Sequence, residues 1–364
     1  MPSMHIFQLI KGRRKAEDRG QVKVSDKDIF SCSGPSHLTT VDWNNADHHR
    51  CVASSLVNGV YVLERDYKKN RNGPQSLAPP WWEFFHFQLH RRIMDDSSIF
   101  GAVYEFNPPA STSHLSIHQA PRYVIAFRGP ILKTGSFTSD LKSNIHMVND
   151  GNAAPRFEIA VQTIQEIFSE HGASNMWLAG HSLGSALAML VGKNMAKAGV
   201  YLPAFLFNPS NFSTPIEWIK DEKLKILIRV TVSLITAGLT IARKDPHRWS
   251  ASEDAFVALF SWIPSLFVNP SDPNSSEYIG YFEHRKEMEK IGAKRIGEIA
   301  TQNSIPSLLF GKTESEPLHI LPSAKLIINK SSSSNSILVA HQICQWWSKD
   351  MVLDTKIYQY RSGN

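Results

Sequence analysis

The chain has 364 residues, 42% of them hydrophobic, enough for one large core or two modest ones and too much for a disordered chain. Its formal net charge is +6, with the densest basic clusters at Lys11-Gly12-Arg13-Arg14-Lys15 and Lys68-Lys69-Asn70-Arg71. No zinc-ligand spacing or aromatic-interleaved RNA motif accompanies them, which sets nucleic-acid binding aside and leaves solvated loops or weak attraction to an anionic membrane surface.

Three widely spaced cysteines, Cys32, Cys51 and Cys344, do not make a disulfide framework and favour a reducing compartment. Residues 1–20 lack the apolar stretch and small-residue cleavage site of a secretory signal. The expected location is therefore cytoplasmic, at most peripheral to membranes.

Residues 1–45 show little periodicity and read as an N-terminal extension or wrap. The main domain is expected at 46–364, carrying a helical, lid-like insertion at about 212–260. Apolar positions at helical spacing predict a helix over 49–65, and β-formers predict strands over 99–106 and 123–127. In 156–171, Phe157, Ala160, Val161, Ile164, Ile167 and Phe168 share one helical face and Gly172 follows as a C-cap. A short apolar strand over 175–179 precedes a helix over 183–197. Further strands are expected at 202–207, 263–268 and 324–328, a charged surface helix at 278–301 and a short helix at 337–347. The run 226–242 is apolar apart from Arg229 and a few hydroxyl residues, but falls short of the about 20 residues of a membrane span. It reads as a buried helix or, with Trp218 before it and Trp249 after, as a lid or acyl-chain wall. Alternating strands and helices predict an α/β fold, a mainly parallel sheet with helices on both faces.

The strongest chemical signal is Gly180-His181-Ser182-Leu183-Gly184. Between a strand and a helix, this pattern builds the tight turn that lifts a serine hydroxyl above the sheet, because side chains at the flanking glycines would strike neighbouring backbone. The following helix aims its free N–H groups at the same place, making the Leu183 N–H a natural oxyanion donor. The competing interpretation is an ordinary glycine-rich strand–helix turn.

A nucleophilic serine needs a base, and the base an orienting acid; on α/β-hydrolase folds these follow in the order serine, acid, histidine. Asp272, in the loop past the 263–268 strand, is the favoured acid, with Asp254 the weaker candidate. His341, beyond the last expected parallel strand, is the favoured base, and His319 is the alternative. His181 reads as a support for the turn. No cluster of metal ligands or cofactor motif appears, so none is expected.

At these residues the chain resembles the class 3 (fungal-type) lipase family, in its plant lipase-like branch, some of whose members carry a GDSL esterase/lipase label. The resemblance rests on SGPSHLT at 33–39, YVIAFRG at 123–129, the serine turn, YIGYFEHR at 278–285 and PLHILPSA at 317–324. It implies an α/β-hydrolase fold, a Ser182–Asp272–His341 triad and hydrolysis of a carboxylic ester, typically of a lipid. Two departures stand out. The family usually places Thr or Ser after Phe-Arg-Gly as the second oxyanion donor, whereas Pro130 has no N–H to offer. Similar chains often carry another histidine where this one has Cys344.

Two functions follow as expectations. The first is a serine hydrolase of lipid or small carboxylic esters, slowed by Pro130 unless Gly129 or Ile131 supplies the missing donor. The second is a lipase-like scaffold with weak or no catalysis, acting through protein or ligand binding, as some plant immune-signalling proteins of similar sequence do.

Overall fold

The computed structural model describes residues 34–35, 37–38, 40–73, 76, 81–108, 117–131, 154–172, 175–211, 229–230, 233, 257–290, 321–331 and 336–359. Most of the 1–45 extension and of the 212–260 insertion, together with Asp254 and His319, lies outside these residues.

Helix α1 (Ala46–Lys68) opens on Asn45, whose side chain accepts the Asp47 N–H, and closes with Arg65 and Lys68 in its last turn, where they complement the carbonyl end. Among the described residues, eight strands form one sheet whose spatial order is the chain order. They are β1 (Phe87–Met94), β2 (Ile99–Phe106), β3 (Tyr123–Phe127), β4 (Met176–His181), β5 (Ala204–Phe207), β6 (Ser265–Val268), β7 (Ala324–Asn329) and β8 (Leu353–Tyr358). The pairs from β3 to β7 are parallel; β1 and β2 on one side and β8 on the other join antiparallel. Helix α2 (Ala154–His171) crosses from β3 to β4, and α3 (Leu183–Lys197) from β4 to β5.

The parallel strands are apolar on both faces because both are covered. Ile125, Phe127, Met176 and Leu178 pack with Ala160, Ile164, Ala188 and Met189 of α2 and α3, and with Tyr278 and Phe282 of α4 (Glu277–Lys290). Their neighbours Val124, Ala126, Trp177 and Ala179 face the other way, onto Val52, Leu56 and Val60 of α1. The result is the predicted α/β-hydrolase architecture, with helices on both faces of a mainly parallel sheet. Among the described residues, no helix is long and apolar enough to cross a membrane.

The expected helix over 337–347 is in fact two pieces. Helix α5 (Ile337–His341) stops at Gln342, which is extended at φ −68° and ψ 137°, and a 3-10 turn, Ile343–Trp347, follows. The interruption frees the His341 carbonyl for a tertiary partner. The edge strands β1 and β8 carry no apolar run that announces them: β1 reads Phe-Gln-Leu-His-Arg-Arg-Ile-Met. Pairing with β2 and β7 defines them.

Candidate active site

Strand register assembles the site at the carboxyl edge of the sheet. Phe127 pairs with Gly180, which sets Arg128-Gly129 beside His181-Ser182. His181 pairs with Phe207, bringing the chain after β5 alongside the serine. Ser182 itself sits between β4 and α3 at φ 56° and ψ −124°, a left-handed position uncommon for a non-glycine residue. A Cβ on Gly180 would lie 2.4 Å from the Gly184 oxygen, and one on Gly184 would lie 2.4 Å from the Phe127 oxygen. Only glycine allows the turn to close this tightly.

The three residues singled out from sequence meet here. His341, the last residue of α5, places Nε2 3.1 Å from Ser182 Oγ and Nδ1 3.0 Å from Asp272 Oδ2. All three are buried, at 1% exposure for Ser182, 0% for Asp272 and 4% for His341. A carboxylate only accepts, so His341 donates its Nδ1–H to Asp272 and faces the serine hydroxyl with Nε2.

Asp272 Oδ2 also accepts Asn208 Nδ2–H at 2.6 Å and Ser275 Oγ–H at 2.9 Å, while Oδ1 accepts the Asn274 N–H at 3.1 Å. Burial acts to raise the carboxyl's pKa, but His341, the Asn208 amide and the Asn274 N–H outweigh it and hold it below the ordinary value.

A second chain of bonds runs behind the serine. Gly129 N–H donates to Tyr61 Oη at 2.8 Å, Tyr61 lies 2.7 Å from His181 Nδ1, and His181 Nε2 lies 2.7 Å from the His341 carbonyl. The carbonyl only accepts, so His181 is protonated at Nε2 and accepts a hydrogen bond from the Tyr61 hydroxyl at Nδ1. Burial first, and His341 second, push the His181 pKa down to about 3, so this ring is neutral. It links the serine turn to Tyr61 of α1 and to the end of α5.

Leu183, the first residue of α3, presents one of the helix's leading N–H groups. Gly129 packs directly on Ser182, since a Cβ there would lie 2.8 Å from Ser182 Cβ. Its N–H goes to Tyr61 and its carbonyl accepts Arg128 Nη1–H at 2.7 Å. Pro130 follows, half-buried. Sequence reasoning missed Tyr61, Asn208 and Gln345. The first lies inside an apolar helical pattern and the other two in a loop and a short turn, so only their partners reveal them.

A family model described as "Lipase (class 3)" matches residues 138–216, a span that holds the serine turn. Over 351 residues, 93% of this chain and 99% of the other, the sequence is 46% identical to an Arabidopsis thaliana protein named GDSL esterase/lipase At4g10955. No solved structure matches the chain. The serine stands here in Gly-His-Ser-Leu-Gly, with no Gly-Asp-Ser-Leu sequence anywhere in the chain. On its fold, its serine turn and this relative, the chain belongs to the class 3 lipase family.

Proposed function

We propose that the protein is a serine carboxylic-ester hydrolase acting on lipid acyl esters through Ser182, His341 and Asp272. The observation that carries this reading is the placement of His341 within hydrogen-bond reach of both other groups. Ser182 Oγ attacks the ester carbonyl as its proton passes to His341 Nε2, and Asp272 keeps the ring oriented. Collapse of the tetrahedral adduct breaks the bond to the alkoxy group, which leaves as the alcohol with that proton. Water then attacks the acyl-serine, again giving a proton to Nε2. The acid departs and Ser182 recovers its hydrogen. The Leu183 N–H stabilises the oxyanion in both adducts.

The relative's esterase/lipase name supports an ester substrate. Pro130 points to a slow enzyme, because loss of one oxyanion donor costs about 2.7–4 kcal/mol of transition-state stabilisation. The neighbouring Gly129 N–H, donated to Tyr61, does not make up that loss in this arrangement. The same observation favours the second reading, a lipase-like scaffold with weak or no catalysis that binds a lipid, ester or protein partner.

Hydrolysis of short- and long-chain p-nitrophenyl esters separates the two. The hydrolase reading expects turnover by the parent chain, none by Ser182→Ala, and a rise in kcat of about ten-fold or more for Pro130→Thr. A folded parent and a folded Pro130→Thr that are both inert would favour the scaffold.

A further inference from the structure

We propose that Asn208 is a positioning residue of this site, tying the loop that carries Asp272 to the helix that carries His341; the proposal rests on the hydrolase reading. Asn208 follows β5, is fully buried and has a left-handed φ of 44°. The side-chain NH2 group serves a loop and a helix: Nδ2 donates to Asp272 Oδ2 at 2.6 Å and to the Ala340 carbonyl of α5 at 3.0 Å. On the other side, Oδ1 accepts Trp346 Nε1–H at 2.6 Å and Gln345 Nε2–H at 3.4 Å. The amide has only one workable orientation. A carboxylate and a carbonyl cannot donate, an indole N–H cannot accept, and a flipped amide would oppose like groups on both sides.

The amide is itself held by a wider network. Gln345 Nε2 also donates to the Ala340 carbonyl at 2.6 Å and the Gln342 carbonyl at 3.0 Å. Its Oε1 accepts Asn269 Nδ2–H at 2.7 Å and Asn329 Nδ2–H at 3.1 Å. Asn208 and Asn269 directly follow β5 and β6, and Asn329 ends β7, so three adjacent parallel strands each carry an asparagine at the carboxyl end. The carboxyl edge of β5, β6 and β7 thus presents a row of carboxamides to α5 and the turn after it. Glycine would satisfy a left-handed backbone at this position with less strain. The asparagine adds the donors that reach the acid and the helix bearing the base.

Two substitutions test this. Asn208→Gly keeps the backbone conformation and removes the carboxamide. Asn208→Asp keeps the shape and sets a second carboxyl against Asp272. The readouts are the rate at which a fluorophosphonate labels Ser182 and the downfield proton resonance of the His341 Nδ1–H bound to Asp272, with circular dichroism reporting the fold. Asn208→Gly should slow labelling about ten- to hundred-fold and shift or broaden the resonance. In Asn208→Asp the raised pKa of one of the paired carboxyls adds an ionisation to the pH profile of labelling that the parent lacks.

An unchanged resonance or an unchanged labelling rate in folded Asn208→Gly overturns the proposal. If that variant does not fold, a parent-like pH profile in Asn208→Asp overturns it instead. A folded parent that is not labelled defeats the hydrolase reading, and the resonance comparison alone then decides the role of Asn208.

Discussion

His181 stands next to the candidate nucleophile and is held from both sides. Its two ring nitrogens are committed, one to Tyr61 and one to the His341 carbonyl, and the ring cannot protonate without displacing the Tyr61 hydroxyl proton. Burial also pushes the Tyr61 pKa up, keeping that proton in place. Tyr61→Phe leaves the Gly129 N–H and His181 Nδ1 buried without their partner, and should cost about 1–3 kcal/mol in urea unfolding. A pH effect follows from the same ring. His181 titrates at about 3 in the folded chain against 6.5 for an ordinary histidine. Between those values the unfolded chain binds a proton that the folded chain does not, so stability falls as pH falls through this window. This one group contributes a slope of about 1.4 kcal/mol per pH unit. Asp272 acts in the same direction further down, because its depressed carboxyl loses its stabilising contribution as pH drops through the folded value. Urea midpoints measured from about pH 7 to about pH 4 should decline in the parent and decline less steeply in His181→Gln.

Among the elements, α1 does more than cover one face of the sheet. Glu64 Oε1 pairs with Arg128 Nη2 at 3.1 Å and Oε2 accepts the Ile99 N–H at 2.7 Å, so one buried carboxylate joins α1, β2 and the loop after β3. Arg128 in turn donates Nε–H to the Ile99 carbonyl and Nη1–H to the Gly129 carbonyl. That holds Gly129 against the serine. Breaking a buried pair from one side strands the other charge, so Glu64→Ala should cost about 3–5 kcal/mol in urea unfolding. The helix was legible in the sequence over 49–65 because its apolar spacing is regular; its role as an anchor was not, because Tyr61 and Glu64 read as ordinary members of an amphipathic helix. The break at Gln342 was equally invisible. Residues 337–347 carry no proline or glycine, and the interruption is held by Gln345 donating to the Ala340 and Gln342 carbonyls.

At the scale of the whole molecule, the candidate site draws on α1, the chain after β3, the β4–α3 turn, the chain after β5 and β6, and α5 beyond β7. Its bonds reach across 159 residues between Ser182 and His341 and 138 between Asn208 and Trp346. A site built from contacts this distant in sequence holds only while the sheet does. Fluorophosphonate labelling of Ser182 and far-ultraviolet circular dichroism should therefore be lost at the same urea concentration. Labelling that disappears well before the dichroism would mean the site rests on a locally unfolding part.

The sequence by itself determined the strand–turn–helix around Ser182 and the alternation that makes an α/β fold, and it ranked Asp272 and His341 first among the candidates to stand beside the serine. These depend on local spacing, on glycines that only a tight turn requires, and on the order of loops along the chain. The edge strands β1 and β8, the split after His341, and the roles of Tyr61, Asn208 and Gln345 were decided only by the tertiary structure. Each depends on a partner supplied from elsewhere in the chain: a neighbouring strand for the edges, a carbonyl or carboxylate for the polar side chains. A hydrogen bond between residues 64 or 120 positions apart leaves no period in the sequence, and burial of both partners is what gives it a defined geometry.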